Sequence, residues 1–172
     1  MAYAVIRTDL MSGTKQPADL VSLRFYDASG NKAEVENGVI VKLQGYEDGE
    51  REVMKAVAAS AGDDLNDCAI VAAPEVMYDE RKKNLDEFIN EAGKATRGYI
   101  PRSRNVFSVT KEGFVGGTVP TKGAEVGIGT GGKIDAAGKG LGACVGVEVV
   151  GRYTYYVIKI GKTEGASATV GG

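Results

Sequence analysis

The chain has 172 residues and no histidine. That removes the commonest general base near neutral pH and the commonest transition-metal ligand together. Cysteine is scarce: Cys68 and Cys144 stand far apart in separate apolar segments, which reads as two buried free thiols. Neither has a histidine that could activate it as a nucleophile. No apolar run approaches the ~18 residues of a membrane helix. Met1–Leu10 lacks the charged-then-apolar order of a secretory signal. We therefore expect a protein made and used without translocation, with no membrane contact. An excess of one charge is missing too. Twenty-one basic residues face 23 acidic ones, for a net charge of −2, so the basic field of a nucleic-acid binder is absent.

Glycine is in excess: 25 residues, about twice the usual ~7% share, most of them after residue 90. Between the glycines lie short β-prone runs. Leu20–Tyr26 alternates, with Val21, Leu23 and Phe25 on one face and Ser22 and Arg24 on the other. Asn37-Gly38 and Asp48-Gly49 both fit two-residue hairpin turns. Arg51–Ala59 suits a strand better than a helix because hairpin chemistry precedes it. The continuous apolar run Cys68–Ala73 suits a buried strand. After Gly98 the pattern is β again: Asn105–Thr110, Gly123–Ile128, Gly132–Ala136, Ala143–Val150 and Arg152–Ile160.

The central stretch 73–101 differs, being dense in charge. Leu85, Phe88, Ile89 and Ala92 recur at i, i+3, i+4 and i+7, Asp79 can cap, and Gly93 can stop, which predicts one short helix at about 80–92. The expected class is mainly β, a small barrel or sandwich of short strands with that helix in the middle. The expected division is an N-terminal meander at 1–73, a charged insertion at 74–104, a glycine-rich barrel-like part at 105–162 and a flexible tail at 163–172, or, as the alternative, a single compact domain overall.

Candidate reaction centres fail on context. Gly127–Gly132 spells G-x-G-x-x-G, but no helix follows to hold a pyrophosphate. Gly161-Lys162-Thr163 looks like the end of a phosphate loop, yet the earlier glycine it requires is Tyr156. Asp63, Asp64 and Asp67 are spaced too irregularly for a calcium loop. We expect no enzyme, cofactor or metal. Interaction chemistry remains. Tyr78, Arg81, Arg97, Tyr99, Arg102 and Arg104 mix aromatic and guanidinium groups, the types that gain most at protein interfaces. Tyr3 in the N-terminal arm and Lys82 complete the expected partner-facing set. The arm Met1–Arg7 and the tail Thr163–Gly172 could each add a strand to a neighbour's sheet.

Glu75–Phe88, Asn90–Gly93, Arg97–Ile100, Val106–Val109 and Gly151–Ile160 together resemble a group of small structural proteins of tailed bacteriophages and prophages of Firmicutes. The resemblance implies a head decoration (auxiliary capsid) protein. It would be made in the host bacterial cytoplasm, be placed on the virion's capsid surface, bind the major capsid protein, and act as a homo-oligomer such as a trimer. Two alternatives stand beside it: a tail or neck structural protein, and a virion-displayed carbohydrate-binding or host-surface-binding domain that uses Tyr153 and Tyr155 as an open platform.

Overall fold

Short alternating runs become strands here wherever a glycine turn lets the chain reverse. The computed structural model describes residues 2–12, 19–77, 81 and 84–161. It joins Leu20–Phe25 (β1), Ile40–Glu47 (β2), Glu50–Ala58 (β3), Cys68–Val71 (β4) and Thr96–Tyr99 (β5) in a closed barrel of order β1-β3-β2-β4-β5. β1 and β3 run parallel and the remaining pairs antiparallel; β5 closes the barrel by pairing with both β4 and β1. The Asp48-Gly49 turn links β2 to β3, with Gly49 at φ 82°.

Val106–Val109 (β6), Glu125–Ile128 (β7), Ile134–Asp135 (β8), Gly140–Val150 (β9) and Tyr153–Ile160 (β10) form a second, antiparallel sheet of order β6-β10-β9-β7-β8. The class is thus the expected one, a small mainly β fold built on a barrel.

Strand β4 shows how the two parts are joined. Ala69 and Val71 point into the barrel, where they meet Leu23, Val41 and Ala56. Cys68 and Ile70 point outward and pack with Phe107, Phe114, Leu141 and Ile158 of the second sheet. Covered on both faces, β4 must be apolar at every position, which is the reason for its unbroken run. Glycine keeps the contact close. A Cβ at Gly132 would lie 2.1 Å from the Ile40 carbonyl oxygen, and its φ of +72° also favours glycine.

Three expectations change in the folded chain. Over the described residues 84–92 the helix expected at 80–92 is reduced to one 3₁₀ turn, Leu85–Glu87. The stripe Leu85, Phe88, Ile89, Ala92 does not form a buried face, since Leu85 and Ala92 are exposed. The chain must be extended by Asn90, whose backbone N–H and C=O pair with Val35 at 3.1 and 3.0 Å. Tertiary pairing outweighs a weak helical preference.

Second, Asn37-Gly38 does turn the chain, with Gly38 at φ 84°, but not as the loop of a hairpin. The segment before it pairs with Asn90 through Val35, and Asn37 itself is completely buried. Third, the N-terminal arm is used within the chain. Arg7 donates to the Ser108 carbonyl at 3.0 Å, Thr110 to that of Val5 at 3.0 Å, and Ser12 to that of Val106 at 2.8 Å, so the arm flanks β6 with Ala4, Val5 and Ile6 buried. The fifth barrel strand, β5, comes from the segment expected as an insertion. The tail 163–172 lies outside the described residues.

Asn37 makes a full set of bonds in the interior. Its Oδ1 accepts from the Ala73 N–H at 3.0 Å and from Asn90 Nδ2 at 3.1 Å, while its Nδ2 donates to the Ala73 carbonyl at 2.9 Å and to Glu75 Oε1 at 3.3 Å. Asn90 Nδ2 also donates to the Val35 carbonyl at 2.9 Å, and Thr96 Oγ1 donates to Asn90 Oδ1 at 2.6 Å. Removing the Asn37 amide would strand several buried groups, each costing about 1–3 kcal/mol. Asn37→Ala is therefore expected to lower unfolding free energy in urea by about 2–4 kcal/mol. Asn66→Ala, at an exposed turn, should change it by less than about 1 kcal/mol.

Candidate interaction surface

The outer face of β1 and β5 carries the open feature nearest the expected partner-facing residues. Ser22 of β1 sits opposite Arg97 of β5 in register, and both are exposed. Residues 84–95 pass across this face because Arg24 holds them: its Nε donates to the Gly93 carbonyl at 2.9 Å. Between strand face and crossing segment lies a groove of ≈ 350 Å³, lined by Arg97, Phe88, Ile89, Val76 and Pro74, with Asn90 and Thr96 of the buried network among its walls. Lys94 and Glu91, ion-paired at 2.7 Å, border it as well. The Arg97 guanidinium makes no ion pair or hydrogen bond with any described residue. An open recess that sets apolar side chains beside a guanidinium with no partner among the described residues is chemistry of the kind that anchors protein partners.

The other expected residues do not join it. Tyr99 lies two residues beyond Arg97 and shares its face, yet it is buried, because the second sheet covers that end of β5. It is a core residue, and its expected partner role is corrected on that ground. Arg102 is spent on Asp19: its Nε and Nη2 both lie 2.8 Å from Asp19 Oδ1. Arg104 is exposed at φ 74° and donates its backbone N–H to the Ile160 carbonyl at 2.9 Å, which places it at the end of β10. Tyr3 is half-buried and donates its backbone N–H to the Asp86 carbonyl at 2.9 Å. Arg81 is exposed. Tyr78 and Lys82 lie outside the described residues.

Two clusters had no signal in the sequence. In the first, Glu47 Oε1 accepts from Tyr26 Oη at 2.5 Å and from Arg24 Nη1 at 3.0 Å, while Glu50 adds a second carboxylate to Arg24 at 3.0 Å. The Tyr26 hydroxyl, and then the Arg24 guanidinium, hold the Glu47 carboxyl below the ordinary range. This cluster pins the β2–β3 hairpin to β1 and so to the crossing segment. In the second, Asp86 accepts from Tyr153 Oη at 2.9 Å and from the Arg152 guanidinium, which also stacks 4.9 Å over the Tyr153 ring. Tyr155 is buried, so Tyr153 and Tyr155 do not make an open platform.

Among the described residues no group of three His, Cys, Asp or Glu side chains converges to hold a metal ion. The glycines of 127–132 run from β7 through a 3₁₀ turn into β8, so no helix N-terminus faces them. Compared with protein-family models, with curated proteins and with solved structures, the chain matches none.

Both cysteines are free and fully buried. Burial pushes the Cys68 thiol up to about 11 and raises that of Cys144 as well. At pH 8 the folded protein should therefore give almost no reaction with a thiol-specific disulfide reagent, whereas both thiols should titrate in denaturant. Fast labelling of the native chain would contradict the buried assignment.

Proposed function

We propose that this protein is a non-enzymatic decoration protein of a tailed-phage head, which binds the outer surface of the major capsid lattice and stabilises it as a homo-oligomer. The observation that carries the reading is the Arg97 groove: an open recess of mixed polar and apolar lining beside a guanidinium that pairs with no described residue, set on a barrel in which, among the described residues, every buried side-chain nitrogen and oxygen has a partner. The sequence resemblance to small structural proteins of Firmicutes phages supplies the identity of the partner. A shell protein offers the same surface many times over. A contact smaller than the standard ~800 Å² per partner then suffices, because repetition raises the effective concentration of each further contact.

A scaffold for such contacts should resist deformation. Two features favour this one: a closed barrel has no open edge, and β4 is clamped between two packed faces. Placement at the tail or neck instead of the head would use the same surface and is separated by immunogold labelling of whole particles.

Purified protein mixed with empty expanded heads should co-sediment with them. Arg97→Glu should weaken that binding about tenfold, the equivalent of ~1.4 kcal/mol, while leaving the unfolding midpoint unchanged. Wild-type protein that stays in the supernatant at every concentration would refute the reading.

A further inference from the structure

Asn37-Gly38 is the one Asn-Gly pair in the sequence, and it sits at the centre of the buried network. This dipeptide is where an asparagine amide is most open to attack by its own backbone. The next residue's nitrogen reaches the side-chain carbonyl carbon freely only when that residue has no Cβ. A bond then forms between Gly38 N and Asn37 Cγ, and Nδ2 leaves as ammonia, giving a five-membered cyclic imide. Water opens the ring at one carbonyl to give aspartate or at the other to give isoaspartate. The balance is asparagine plus water to acid plus ammonia, with no oxidant or cofactor needed.

The fold blocks each part of that step. Gly38 donates its N–H to the Val71 carbonyl at 2.7 Å, so the nitrogen that must lose its proton is tied to β4. The Asn37 amide is committed to Ala73, Glu75 and Asn90, and those bonds must break before Cγ can turn to Gly38. Both residues are buried, which keeps out the water that opens the ring. The product does not fit the same place. An aspartate has no N–H for the Ala73 carbonyl, and it sets an oxygen where Asn37 Nδ2 now lies 3.3 Å from Glu75 Oε1. Burial already pushes the Glu75 carboxyl up, and a second carboxyl beside it makes ionising either one costlier. Isoaspartate adds one atom to the main chain between Val35, paired with Asn90, and Val39, whose carbonyl accepts from Val71 at 2.9 Å. The two pairings then fall out of step.

We propose that Asn37 is a fold-gated modification site: its amide is lost only in chains whose buried network has opened, and the acid that forms keeps the network from closing again. A reversible local opening is thereby converted into permanent loss of the native state. The rate of amide loss under native conditions is the rate in the unfolded chain multiplied by the fraction of open networks. It therefore reports the stability of that network directly. Neither part depends on what the Arg97 groove binds.

Trypsin releases the site as the peptide Ala33–Lys42, whose mass and retention distinguish asparagine, aspartate and isoaspartate. Full-length protein held at mildly alkaline pH should convert this peptide at least about a hundredfold faster in unfolding urea than in buffer. Thr96→Val deletes the hydroxyl that donates to Asn90 Oδ1 and leaves the Asn37 amide in place. At a urea concentration just below the unfolding midpoint it should convert several-fold faster than the wild type, with equal rates once both are unfolded. Wild-type chains converted in urea and returned to buffer should fail to refold, or melt about 5–10 °C lower, and Asn37→Asp should do the same. Similar conversion rates in buffer and in unfolding urea overturn the proposal. So do equal rates for Thr96→Val and the wild type below the midpoint. Converted chains that regain the native melting temperature overturn it as well, since the acid is then no barrier to closure.

Discussion

A single buried amide, that of Asn37, connects parts of the chain that no covalent proximity brings together. It bonds to both backbone groups of Ala73 beyond β4, to Glu75, and through Asn90 to Val35 and Thr96 of β5. The barrel closes where β5 meets β4 and β1, and β5 lies more than twenty residues beyond β4 in sequence. Something must hold the intervening chain in register, and this network does. Its strength follows from its seclusion: with water excluded, a lost partner cannot be replaced, so the cost of opening is that of an orphaned polar group and not of one weak bond. Among the described residues every buried side-chain nitrogen and oxygen has a partner.

The same network shapes the groove. Asn90 and Thr96 stand among its walls, and Arg97 follows Thr96 directly, so the inward and outward residues of β5 serve the barrel and the surface in turn. On the far side of the crossing segment, Arg24 with Glu47 and Glu50 fixes where residues 91–94 lie. A groove held at both margins would change little on binding. Less ordering entropy would then be lost, which would favour affinity from a small contact.

The two sheets meet through β4 on one side and the N-terminal arm with β6 on the other, and the larger core lies between them. The β9–β10 hairpin outruns that core, so the apolar face it continues has no cover from its own chain. The groove and the hairpin edge are therefore different kinds of surface. One is a recess lined by mixed chemistry, the other an extended strand that leaves valines exposed.

Much of the local structure was legible in the residues themselves. Period-two alternation marks β1, β6 and β10, the Asp48-Gly49 turn marks the β2–β3 hairpin, and an unbroken apolar run marks β4 as covered on both faces. These signals are local, arising from side-chain direction and backbone freedom within a few residues. Three features had no such signal. Asn37 has the composition of a surface turn, yet four bonds to distant residues make it the centre of the core. The 84–92 segment has a helical stripe, but pairing with Val35 extends it. Arg97 and Tyr99 occupy equivalent places on one strand face, and only the position of the second sheet buries one and exposes the other. The sequence alone therefore determined the β class, most strand positions and the buried state of the thiols, because each depends on the pattern of near neighbours. The tertiary structure decided which turn became a hub, that Arg97 pairs with no described residue and which valine-rich edge was left open, because each depends on what a distant part of the chain covers.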